Sequence, residues 1–124
     1  MGLDCFASRI IDDIELTEED EQAFTDANLC LCGGFYSGGG SSFRGKVYVD
    51  LVFAATQMSI SESLEPEEVR TLSERLDRYT PEQLFELSTT PEVVNGPHSS
   101  GTCLDLQRFF RICVKRGLCL VAWS

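Results

Sequence analysis

In the stretch EPEEVRTLSERLDRY, apolar residues recur at Val69, Leu72, Leu76 and Tyr79. Spacings of three and four put them on one face of a helix, and Pro66 suits a first helical position. In LTEEDEQAFTDAN, Thr17 is a candidate N-cap, acids fill the first turn, and Asn28 tolerates a left-handed ending. TPEQLFEL reads as a capping box, with Thr80 and Gln83 able to satisfy each other's amides around Pro81.

The run KVYVDLVFAATQM is less one-sided. Its β-branched residues favour a strand over 46–53, yet the apolar run is long for one. On a helical wheel only Asp50 and Gln57 share a polar line, so the pattern predicts a central helix with a narrow wet edge. In CLDLQRFFRICVKRGLCLVAWS, one helical arc holds Cys103, Leu106, Phe109, Phe110, Cys113 and Val114, and Gly117 stands where a C-terminal glycine belongs. LCLVAW then reads as a strand, with GLDCFAS and LCLC (29–32) as candidate partners. The expected architecture is one α+β domain over residues 1–124. It is mostly helical, with about five helices around a small sheet of the N-terminal, 29–32 and C-terminal segments.

Two segments are loop-like, GGFYSGGGSS (33–42) and STTPEVVNGPHSSG (88–101), the second with the turn signal Asn95-Gly96-Pro97. The first leads into GSSFRGKV, where Gly40, Gly45 and Lys46 match the spacing of a phosphate-binding P-loop. Val47 stands where that motif needs a magnesium-binding hydroxyl, and FYSGG is no buried strand. A nucleotide site is therefore not expected. A weaker anion or small-ligand site remains, between the loops 33–45 and 88–102, using Gly40, Ser41, Ser42, Arg44, Lys46, His98, Ser99 and Ser100.

Charge sharpens the picture. The net charge is −10, with −8 in residues 1–28 and +2 in residues 89–124. Such acidity disfavours nucleic acid as a partner. No apolar run reaches the ~20 residues of a membrane helix, and Asp4 sits where a secretory leader would be basic. A soluble, cytoplasmic protein is expected. The acids from Asp12 to Glu21 lack the glycine of a calcium loop and read as a solvated helix start. Against this background Arg108, Arg111 and Lys115 fall within about 60° on the C-terminal helix and form a local basic stripe.

The six cysteines all have apolar neighbours and form no C-x-x-C pair, which predicts reduced, buried thiols. A thiolate metal site on Cys30 and Cys32 would need further ligands. His98 is the only histidine, and no nucleophile–base arrangement is legible around it. No catalytic residue, metal or cofactor is assigned, and the reading leans away from an enzyme. Two function classes follow. One is a non-enzymatic interaction or accessory module that docks an acidic surface through the basic stripe, from a protein partner or from segment 12–26 of a second copy. The other is a small-ligand or anion-binding protein, with an enzyme as one form, at the junction of the two loops.

Overall fold

The computed structural model describes residues 3–29, 31, 41–87 and 101–123. In chain order these form β1 (Asp4–Ser8), α1 (Glu18–Ala27), β2 (Ser42–Arg44) and α2 (Gly45–Thr56). Then come α3 (Pro66–Leu76), α4 (Pro81–Leu87), α5 (Thr102–Arg116) and β3 (Cys119–Trp123). The sheet is antiparallel in the order β2-β1-β3, with Phe6 opposite Ser42 on one side and Val121 on the other. This is the α+β class expected, with five helices among the described residues around a small sheet. Leu29 and Leu31 lie in no strand, and Cys30 and Cys32 fall outside the described residues. The strand beside β1 is instead Ser42–Arg44, the end of the glycine- and serine-rich segment.

The local signals act as their chemistry dictates. Thr17 Oγ1 accepts the Asp20 amide at 3.1 Å while Asp20 Oδ2 accepts the Thr17 amide at 3.0 Å, and Asn28 closes α1 at φ 51°. Thr80 and Gln83 make the same reciprocal pair at α4. Gly117 ends α5 at φ 67°, a left-handed conformation that glycine adopts without strain. Residues 46–56 are helical, as the long apolar run predicts, but the wet edge is wider than the wheel suggests: Lys46, Phe53 and Ala54 are exposed along with Asp50.

Packing closes around Phe43 of β2. Its ring meets Phe109 at 5.0 Å, Tyr48 at 5.5 Å and Phe110 at 6.1 Å between centroids, each edge-on. Phe24 of α1 extends the cluster, 5.2 Å from Phe109. Edge-to-face aromatic pairs add about 0.5–1.5 kcal/mol each beyond area burial, so this cluster ties α1, α2 and α5 to the sheet. Buried aliphatics from α2, α3, α4 and α5 join the same core.

Three helix C-termini are finished by side chains from elsewhere in the chain. Arg108 donates to the Ala27 carbonyl of α1 at 2.7 Å, and Arg75 donates to the Thr56 carbonyl of α2 at 2.8 Å. Gln107, itself buried, donates to Leu76 and Tyr79 carbonyls at the end of α3. The two arginines satisfy carbonyls that lack an intrahelical partner, and Gln107 braces the turn after α3, where the Leu76 carbonyl also accepts the Tyr79 amide. The Arg108 and Gln107 bonds fix how α5 sits against α1 and α3, and the Arg75 bond ties α3 to α2.

Candidate interaction groove

The basic stripe of α5 faces a groove between α1 and α5 with a volume of about 400 Å³. Its apolar lining is Ala23, Ala27 and Ile112, each half-buried, so neither helix fills the space with a large side chain. Arg108, Arg111, Lys115 and Arg116 also line it, opposed by the single acid Asp26. Four of the chain's ten basic residues thus converge on one groove.

Contacts divide these four cations. Arg108 is committed to the fold: besides its bond to Ala27 it pairs with Asp105 at 2.9 Å. Arg116 is committed too, through Asp20 at 2.6 Å. Arg111 reaches Asp77 at 3.1 Å, but both partners are exposed. Such a pair contributes about 1 kcal/mol or less, so Arg111 can exchange Asp77 for another acid at little expense. Lys115 is exposed and makes no hydrogen bond or ion pair among the described residues.

Asp20 is the residue that sequence reasoning missed. It was expected on a solvated acidic face, yet its side chain is fully buried and holds Arg9 at 2.6 and 2.8 Å as well as Arg116. Burial pushes its pKa upward, but the bonds from Arg9, Arg116 and Thr17 outweigh that and hold it well below the usual carboxylate range. The spacing Thr17-x-x-Asp20 was the available signal, because a capping partner must fold back on the helix start. This node locks the β1–α1 connection to the last turn of α5, at one end of the groove.

The loop-based candidate site fares differently. Gly40, His98, Ser99 and Ser100 lie outside the described residues. Ser41 and Ser42 are buried at the sheet, with the Ser41 carbonyl accepting the Ala7 amide at 2.9 Å. Arg44 and Lys46 are exposed, but the Lys46 amide donates to the Leu3 carbonyl at 3.4 Å and is not turned to a ligand. Gly45 serves packing: a Cβ there would lie 2.5 Å from Cys5 Sγ. One contact does bring the two loop exits together, the Tyr48 hydroxyl to Thr102 Oγ1 at 2.5 Å, joining the first turns of α2 and α5.

Cys5, Cys103, Cys113 and Cys119 are free, buried thiols. Burial pushes Cys5 up to about 12 and Cys103 to about 11, which leaves both unreactive as nucleophiles at neutral pH. Among the described residues no three His, Cys, Asp or Glu side chains are grouped so as to hold a metal ion. Nor is any helix there long and apolar enough to cross a membrane. Compared with protein-family models, curated proteins and solved structures, the chain matches none.

Proposed function

We propose that this chain is a non-enzymatic interaction module that receives an acidic, aliphatic protein segment in the α1–α5 groove. The observation carrying this reading is the pairing of Lys115, exposed and unengaged, with weakly held Arg111 beside the apolar lining of Ala23, Ala27 and Ile112. Aliphatic side chains of a partner would cover the lining, while its carboxylates would meet Lys115 and Arg111. Affinity would come from the buried apolar contact, and orientation from the charges. A net charge of −10 directs the module away from nucleic acid. The reading places it in the cytoplasm, in keeping with unpaired thiols.

A phage-displayed random peptide library selected on the immobilised protein tests this. Peptides combining Asp or Glu with Leu, Ile or Val should be enriched, and Arg111→Glu with Lys115→Glu should abolish their binding. Enriched peptides that bind the double variant equally well, or no enrichment at all, would refute the reading.

The small-ligand reading retains one specific support, the Tyr48–Thr102 bond that brings the exits of both loops together. It predicts that phosphate binding, measured by calorimetry, is weakened by Lys46→Ala and Arg44→Ala.

A further inference from the structure

We propose that the occupant of the groove is a second copy of this chain, which inserts the loop of residues 9–16 so that two molecules exchange loops about a two-fold axis. The inference rests on the interaction-module reading and adds the identity of the partner.

The loop carries what the groove lacks. Ile10 and Ile14 are each 42% exposed, two of the five large apolar side chains left in water among the described residues, and both lie in this one loop. Asp12, Asp13 and Glu15 surround them and are exposed too. Aliphatic groups interleaved with carboxylates are what a groove of Ala23, Ala27 and Ile112 flanked by Arg111 and Lys115 accepts.

The loop is also built to hold its shape. Buried Ser8 sits at its centre, donating its hydroxyl hydrogen to the Asp13 carbonyl at 2.7 Å. The same oxygen accepts the Ile10 amide at 3.2 Å and the Glu15 amide at 2.9 Å. Arg9 and Glu15 close the base through a backbone bond of 2.8 Å, and Asp13 accepts the Ile14 amide at 2.7 Å. A loop ordered before binding loses little entropy when it docks. Solvation alone gives no reason to hold two isoleucines so firmly in water.

Placement favours closure. The loop leads into α1, and Ala23 lies six residues beyond Thr17, roughly 10 Å along a helix rising 1.5 Å per residue. Loop and groove are therefore neighbours, bound together by the Asp20 node, which holds Arg9 of the loop and Arg116 of the groove. Neighbouring complementary surfaces can be satisfied reciprocally, which gives a closed dimer and not an open chain. Reciprocity also doubles the buried area, so a small contact at each site adds up to a stable interface.

Sedimentation equilibrium at about 0.1 M salt, with protein from micromolar to about 1 mM, tests the proposal. The wild-type mass should rise from 13.8 kDa toward twice that value. Ile14→Asp in the loop, and Arg111→Glu with Lys115→Glu in the groove, should each weaken the dimer by about tenfold or more. Ser8→Ala should weaken it with no change of surface charge. Reversing both sides together, with Asp12→Lys and Asp13→Lys added to the groove variant, should restore it. Circular dichroism confirms that each variant is folded, a control that matters most for buried Ser8, since the other substituted positions are exposed. A wild-type chain that stays monomeric at about 1 mM overturns the proposal, while the peptide selection still judges the groove separately. A dimer indifferent to both loop and groove variants overturns it as well.

Discussion

Replacing Gly45 with alanine isolates one close approach on which the fold depends. The added Cβ would fall 2.5 Å from Cys5 Sγ, 3.0 Å from Leu3 Cδ2 and 3.1 Å from Leu3 Cγ. Non-bonded carbon contacts settle at about 3.5–4.0 Å, so the overlap with sulfur is about 1–1.5 Å by that measure. Relief is hard to find. Cys5 is wholly buried in the central strand, paired on both sides, and its thiol donates to the Ile60 carbonyl at 3.4 Å. The start of α2 is also held against the same chain segment by the Lys46 amide on the Leu3 carbonyl. Overpacking of this kind costs about 1–3 kcal/mol, against a helix-propensity gain of at most about 1 kcal/mol.

The expected net loss is about 2 kcal/mol, read as a lower urea midpoint at unchanged slope, or a fall in Tm of about 8 °C. Cys5→Ala alone should cost about 1 kcal/mol for its lost atom. The double variant should be less damaged than the sum of the two, with a favourable coupling of about 1 kcal/mol or more, because the alanine methyl then occupies the space of the sulfur. Gly101→Ala is the control, since a Cβ there meets nothing within 4 Å. Its effect should stay within about 0.5 kcal/mol. A neutral Gly45→Ala, or a cycle with no coupling, would show that helix and strand do not meet as described.

Asp20→Ala should destabilise by about 3 kcal/mol, because it strips Arg9 and Arg116 of a buried partner and Thr17 of its capping return; chemical denaturation at neutral pH measures it. The Asp20 pKa is depressed in the fold, so its stabilisation is complete above the unfolded value of about 3.9 and is lost as pH falls toward the folded value. Asp20→Asn should accordingly flatten part of the acid limb of stability against pH, and an unchanged acid limb would count against the node. Thiol labelling at pH 8 should leave Cys5, Cys103, Cys113 and Cys119 unmodified in native protein, while denatured protein exposes all six cysteines. Peptide mapping assigns the sites, and rapid native labelling at any of those four would contradict their burial.

Caps, helix faces and the fold class were legible because each depends on residues within one or two turns. Thr17, Pro66, Thr80 and Gly117 act locally, and a local signal survives without knowledge of the rest of the chain. GSSFRGKV shows the limit. Val47 is enough to argue against the phosphate loop that the spacing matches. It does not show that Phe43 joins the aromatic core and Gly45 makes room for Cys5, contacts made with residues far away in sequence. The basic stripe shows the same limit at the candidate site. A helical wheel places Arg108, Arg111 and Lys115 side by side as equals, because it records direction alone. Only long-range contacts reveal that Arg108 caps α1, 81 residues distant, and that Arg116 closes on Asp20, 96 residues distant. Once those two charges are assigned to the fold, Lys115 and the loosely held Arg111 are the groove cations the fold does not use. The proposed docking surface is what remains of the stripe after folding has used the rest, and a ranking of the cations by charge reversal should reflect it. Arg108→Glu should lower stability, whereas Lys115→Glu should leave stability unchanged and reduce association.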